Sequence, residues 1–317
     1  MTNSASESIS LRFADPGTAK RYPLAVSAEC QWQRKGETWL TQIPLPDLAA
    51  GSILAPSLSV LSDEPYGFQF TLHGNGSASW PLPDVPRQAP SPEVSNRRVR
   101  TALDCFHLLK PLRGASLEVI CYCAQQPTRY LLVISQRLVE IPAVCAPTAE
   151  IHCQQAPPRR SQLLENPRIA SRICSPISTG MVIGHHGHNV NWHSLLRDCY
   201  DPVTKMYGMW PLAIRAASVY GCLGAVELLS GWSEVGACLA ADIPLVASIR
   251  FGKGKLPGAP LSASGGHLIV VHGLSPNTAL VNDPAAPNHG SVARSYPTQA
   301  LAEAWFHHRG AAYILLP

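Results

Sequence analysis

Arg172-Ile173-Cys174-Ser175-Pro176-Ile177-Ser178-Thr179-Gly180-Met181-Val182-Ile183 sets the frame for the whole chain. Ile177 and Met181 stand at helical spacing, with Val182 and Ile183 beside them, so a helix is expected from about Ser175 to Ile183. Ser175 can cap it. Pro176 suits a first turn, where a missing N–H costs nothing. A thiol at that start lies at the positive end of the helix dipole, among N–H groups without intrahelical partners. Both favour the thiolate, which is the nucleophile. A free cysteine is also commonly a small buried hydrophobe, so the weight of Cys174 depends on the partners that the downstream chain can offer it.

Ser264-Gly265-Gly266-His267-Leu268-Ile269-Val270-Val271-His272-Gly273 reads as a strand, and Thr278-Ala279-Leu280-Val281-Asn282-Asp283-Pro284 as a second. On the first, His267, Ile269 and Val271 share one face; Leu268, Val270 and His272 share the other. His267 begins its strand beside two glycines, which let a backbone or a substrate approach closely. His272, just before Gly273, is expected to face a turn. On the second strand Asp283 and Asn282 point to opposite faces, and either accepts from an imidazole N–H. A cysteine, a histidine and an acid or amide, in that order on a helix start and two strand ends, match a thiol nucleophile, its base and an orienting group.

Taken with Ile243-Pro244-Leu245-Val246-Ala247-Ser248-Ile249-Arg250-Phe251, these motifs resemble the double-glycine (bacteriocin) leader peptidase-like branch of the papain-like cysteine peptidases. The resemblance covers about 157–317. It implies an α+β papain-like fold, a helical lobe followed by an antiparallel sheet. It implies hydrolysis of a peptide or amide bond through a thioester on Cys174, with His267 as base. It places the orienting acid at the Asp-Pro pair, hence Asp283, with Asn282 as the alternative. The oxyanion hole would draw on the Cys174 backbone N–H and on a glutamine upstream. Gln162 is the candidate, although it lies farther from the cysteine than the family pattern usually has it. No cofactor and no metal are expected. A thioester does not dictate what attacks it: water gives a hydrolase, an amine gives an acyltransferase. A non-catalytic binding module on the same fold is a third reading, and the intact Cys-His-Asp set speaks against it.

The chain has 317 residues, 46% apolar and 15% charged, which suits a globular protein and allows two domains. Its net charge of +4 is scattered, with no basic run longer than a pair, so no nucleic-acid partner is expected. The polar, Ser-rich start carries no secretory pattern, and no stretch of about eighteen apolar residues occurs. A cytoplasmic protein without a membrane segment is expected, its ten cysteines reduced and free of CxxC pairs.

Residues 1–141 read as an all-β accessory unit of β-sandwich type, 142–161 as a proline-rich linker and 162–317 as the catalytic unit. Strands are expected at Tyr22–Val26, Trp39–Ile43, Gly67–Leu72, Ser79–Leu82, Ser116–Cys123 and Tyr130–Val139, with a hairpin turn at His73–Gly76. Asp104–Leu109 fits a strand or one helical turn. Trp32, Trp39, Tyr66 and Trp80 fit either core positions or a binding groove. In the second half, helices are expected at Trp192–Tyr200, capped by Asn191, and at Trp210–Tyr220, Trp232–Ala241 and Thr298–Phe306. Strands are expected at Gly224–Leu229, Pro244–Phe251, Val292–Tyr296 and Ala311–Leu316. Cys121 and Cys123 lack a second ligand pair. His185, His186 and His188 form a polar loop with no acid or cysteine at helical or hairpin ligand spacing, so no metal is expected at either place.

Overall fold

The computed structural model describes residues 9–87, 95–102, 104–138 and 144–317. Val139, the expected end of a strand, and Pro142, the expected start of the linker, lie outside the described residues, as do residues 1–8.

The first half contains β1 (Ile9–Ala14), α1 (Pro16–Arg21), β2 (Gln33–Lys35), β3 (Thr38–Pro44), β4 (Ser52–Val60), β5 (Gly67–His73), β6 (Ser79–Pro81), β7 (Val99–Ala102), β8 (Cys105–Leu108), β9 (Ser116–Tyr122) and β10 (Tyr130–Leu138). They build two five-stranded sheets, β1-β10-β4-β8-β7 and β2-β3-β9-β5-β6. Phe68, Phe70, Leu117 and Val119 of the second sheet share a core with Leu54, Leu58, Leu132 and Ile134 of the first. β5 and β9 alternate fully and partly buried residues, the period-two pattern that made them readable. β4 is buried at every position and carries Pro56 among three serines, so it has no alternation to read. Pro56 is tolerated there because β8 pairs β4 only at Ile53 and Leu54, and no strand needs its missing N–H.

Tyr22–Val26 is not a strand. Asp15 instead caps α1, accepting from the Gly17 and Thr18 N–H groups, with Pro16 at the first helical position. Asp104–Leu109 resolves into β8. Trp32, Tyr66 and Trp80 are buried in the core between the sheets, and Trp39 packs against its margin.

The second half contains β11 (Ile151–His152), α2 (Cys174–His185), α3 (Trp192–Asp198), α4 (Trp210–Ser218), β12 (Gly224–Leu228), α5 (Trp232–Ala240), β13 (Leu245–Phe251), β14 (Ser264–Leu274), β15 (Thr278–Asn282), β16 (Ala293–Pro297), α6 (Thr298–Trp305) and β17 (Ala311–Leu315). One antiparallel sheet runs β12-β17-β13-β14-β15-β16, and β11 pairs with the far end of β14. On one face Ile177, Met181 and Val182 of α2 pack with Val246, Leu268 and Val270. On the other Trp232, Val235 and Leu239 of α5 and Leu301 and Trp305 of α6 pack with Leu245, Ile269 and Val271. β13 and the distal part of β14 are therefore covered on both sides, which is why they read as continuous apolar runs.

The apolar cores cross between the halves. Ala14, Tyr22, Leu131 and Val133 join the core beneath α5 and α6, whereas Ile53, Ala55 and Cys105 join the one beneath α2. Polar contacts follow the same seam. The Arg12 guanidinium donates to Glu227 at 2.6 Å, the Tyr22 hydroxyl donates to the same carboxylate at 2.9 Å, and Arg137 donates to the Leu229 and Phe306 carbonyls. The change near residue 150 is thus a change of architecture along the chain, with shared interior on either side of it.

Candidate active site

α2 begins at Cys174 itself, with Ile173 in the cap position and no side-chain cap. Ser175 does not cap the helix. Its buried hydroxyl lies 3.1 Å from the Tyr313 hydroxyl of β17. The glycine at 180 lets α2 meet Trp192 of α3 closely: a Cβ there would come within 2.4 Å of the indole. Cys174 is partly exposed. Cys145 is exposed, and the remaining thiols are buried.

β14 carries His267, 2% exposed, opposite Ile249 of β13. Its Nε2 lies 2.8 Å from Asp283 Oδ1, which leaves Nδ1 for the thiol. Asp283 follows β15 and is almost fully buried. Its Oδ1 also accepts from the Ala285 N–H at 2.9 Å, and its Oδ2 accepts from the Tyr296 hydroxyl at 2.6 Å. Tyr296 was not singled out in the sequence. It lay on an expected strand, but only the β15–β16 pairing brings it to the carboxylate.

The electrostatics follow from these contacts. Burial pushes the Cys174 thiol up, but hydrogen bonding to His267, the imidazole charge and the Leu268 and Ser175 N–H groups bring it below its ordinary value. Burial pushes His267 down, but Asp283 and Cys174 outweigh it and raise the imidazole to about 10. Burial raises Asp283, and His267, Tyr296 and the Ala285 N–H overcome it, leaving the carboxylate below its usual range. The arrangement favours a thiolate beside an imidazolium whose far nitrogen is fixed by a carboxylate.

Asn282 turns away from this set. Its Nδ2 donates to the Pro157 carbonyl at 2.9 Å. His272 does not face a turn: β14 continues to Leu274 through an irregularity between Val271 and Gly273, and the His272 ring is buried. Gln162 opens a 3₁₀ turn over Gln162–Leu164, and a second covers Ala170–Arg172, taking up the long gap to Cys174. Its backbone N–H donates to the Pro284 carbonyl at 2.8 Å, directly after Asp283. The neighbouring Ser161 hydroxyl donates to the Ala286 carbonyl. The Gln162 side chain is 4% exposed and its Oε1 has no hydrogen-bond partner.

The His-rich loop, expected as a polar loop without ligands at short sequence spacing, meets an acid and a thiol from elsewhere in the chain. His185 is the last residue of α2, and its ring meets Cys153 and Asp242, whose ligand atoms all lie within 4.8 Å of one another. Short sequence spacing missed this set because each member comes from a different element. No helix among the described residues is long and apolar enough to cross a membrane.

The Peptidase_C39 like family model matches residues 154–313. No curated protein sequence matches the chain. Among solved structures, one from Bacillus anthracis named as a C39-like peptidase aligns with a TM-score of 0.42 at 15% identity, covering 53% of this chain and 98% of that one.

Proposed function

This chain belongs to the Peptidase_C39 like family, and from that premise we propose that it is a cysteine peptidase whose nucleophile is Cys174, base His267 and orienting carboxylate Asp283. The observation that carries the reading is the row of contacts from the thiol through His267 to Asp283, with the 2.8 Å Nε2–Oδ1 bond at its end. In this mechanism the Cys174 thiolate attacks the scissile carbonyl carbon. The C–N bond breaks as the imidazolium gives its proton to the leaving amine, and a thioester remains. Water, deprotonated by the now neutral His267, then attacks the thioester and releases acid and thiol. The Cys174 backbone N–H, first in α2 and without an intrahelical partner, and the Gln162 side-chain amide stabilise the oxyanion. Asp283 keeps Nδ1 directed at the sulfur.

The same reading takes α2 to α4 and the sheet as the two lobes of a papain-like fold, with the paired sheets before them as a β-sandwich unit. Within the family it assigns the chain to the double-glycine leader peptidase-like branch, with a peptide substrate. The test is turnover of a fluorogenic peptide library by the full chain, with mass-spectrometric mapping of brief, limiting iodoacetamide labelling across pH 5 to 9. Cys174 should label faster than the exposed Cys145 at the acid end of that range, and Cys174→Ser should lose turnover with the fold intact. Turnover that survives in Cys174→Ser, or a faster-reacting second cysteine, overturns the assignment.

A further inference from the structure

Cys153 leaves β11, His185 ends α2, and Asp242 sits in the turn between α5 and β13. The sulfur, a ring nitrogen and a carboxylate oxygen converge within 4.8 Å. His185 Nε2 is 3.1 Å from the Asp242 carbonyl and 3.5 Å from its carboxylate. Asp242 Oδ1 also accepts from the Gln154 N–H at 2.7 Å, which fixes the carboxylate. Neighbouring histidines are otherwise engaged: His186 Nε2 bonds the Leu315 carbonyl, and His152 Nδ1 the carbonyl of Cys153.

A second, independent feature lies beside this cluster. β11 pairs with β14 as Ile151↔Leu274 and His152↔Gly273, and the Cys153 N–H donates to the His272 carbonyl at 2.9 Å. Cys153 and His272 are therefore directly opposite, and opposite residues of an antiparallel pair project from one face with Cβ atoms about 5 Å apart. His272 is 8% exposed, and its Nε2 is buried without any hydrogen-bond partner. A buried imidazole nitrogen left unpaired is costly unless something accepts its lone pair or proton.

We propose that Cys153, His185, Asp242 and His272 bind one divalent transition-metal ion of the zinc class, at a site separate from Cys174. A thiolate, two imidazoles and a carboxylate are a soft-to-borderline set suited to tetrahedral zinc, whereas calcium and magnesium take oxygen ligands. The two negative ligands balance the ion's charge, and Asp242, 38% exposed, keeps the cluster at the surface. Tetrahedral zinc places ligand atoms about 3.3–3.8 Å apart, so Cys153, His185 and Asp242, within 4.8 Å of one another, draw together by about 1.5 Å at most, and the His272 ring, outside that group, turns in to complete the set. The Cys153 thiol loses its proton to solvent as the sulfur–metal bond forms, and no oxidant or reductant is needed. Four protein ligands make a closed, structural site. It ties β11, the end of α2, the α5–β13 turn and the end of β14 into one point. The inference does not depend on the peptidase reading.

The experiment uses the full chain stripped with chelator and titrated with Co²⁺, then Zn²⁺. The expected result is one equivalent of cobalt with a thiolate-to-metal charge-transfer band and tetrahedral d–d bands, displaced by zinc, with zinc raising the melting temperature. Cys153→Ser abolishes the charge-transfer band, and His272→Ala weakens binding by more than about 100-fold. Asp242→Asn, which keeps the shape of the side chain, does the same should Cys153→Ser fail to fold. Cys174→Ser leaves the spectrum unchanged. Absence of the charge-transfer band in the folded wild type, or its survival in Cys153→Ser with loss in Cys174→Ser, overturns the site. Full affinity in His272→Ala overturns the four-ligand set.

Discussion

Two cysteine–histidine–aspartate sets stand at opposite ends of the same helix and strand. α2 starts at Cys174 and ends at His185, roughly 16 Å away at the α-helical rise. β14 carries His267 near its start and His272 roughly 17 Å on. The first set is a row in which the imidazole separates thiol from carboxylate. The second is a cluster in which all three groups face one another. The consequence appears at sulfur. Cys174 has an imidazolium beside it and falls below its ordinary value. Cys153 is pushed up to about 12, by burial first and then by the charge of Asp242. Residue types do not assign the role; the order of contact does. An acid against the far side of a buried histidine raises the imidazole, whereas an acid beside a buried thiol adds to the burial that disfavours the thiolate.

The sharpest way to break this contrast is to exchange the sulfur for oxygen at each end. Cys174→Ser should lower peptide turnover by at least about 10³-fold, because the other members of such a set cannot act without the nucleophile. Thermal unfolding of the same variant should still show the full zinc-dependent rise. Next in size is Asp283→Ala, with an expected loss of about 10²-fold in kcat/KM, since Cys174 and His267, the proposed nucleophile and base, remain. Its pH profile carries more information than its rate. Asp283 helps hold His267 near 10, so its removal should move the basic limb of the profile to lower pH. Stability follows the same sign. The contribution of the charged His267 is complete below about pH 6.5 and is lost as pH rises through about 10. That of Asp283 is lost as pH falls through its lowered value.

Glu227→Ala touches neither set and serves as the control for global effects. It strands Arg12, which is 12% exposed, without its 2.6 Å partner, and breaking such a buried pair costs about 3–5 kcal/mol. Urea unfolding should show a lower midpoint in one transition reported by both halves, because their cores interpenetrate. The smallest effect is expected from Cys153→Ser without added metal: turnover within about twofold of wild type, since a site roughly 16 Å from the nucleophile touches no reacting atom. A loss of turnover comparable to that of Cys174→Ser would mean that the two ends of α2 are not independent.

The row was legible in the sequence and the cluster was not, for a physical reason. Cys174, His267 and Asp283 each sit where local pattern changes: a helix start, a strand beside two glycines, a strand end before proline. Strand alternation puts Asp283 and Asn282 on opposite faces, and the choice of Asp283 between them came from the family resemblance. Cys153, His185 and Asp242 sit beside no such signal, and only the β11–β14 pairing and the length of α2 bring them together. His272 was expected at a turn because Gly273 reads as the end of its strand, whereas β14 runs on to Leu274. The same limit applies to the fold. β5, β9, β13 and the helices of the second half were readable from period and caps. β4 was hidden by burial on every side, and α1 by an aspartate cap in a stretch too short to show periodicity.

β17 lies between β12 and β13 yet comes after both in the chain. Its Tyr313 is the hydroxyl partner of Ser175, the residue next to Cys174. On a ribosome the two paired sheets of the first half emerge early, and the helix bearing Cys174 emerges before the strand that unites its sheet. A nascent chain halted short of Ala311 lacks the strand that pairs with both β12 and β13, and Ser175 lacks its partner. The Ser175–Tyr313 contact beside Cys174 therefore cannot form until this strand has been synthesised.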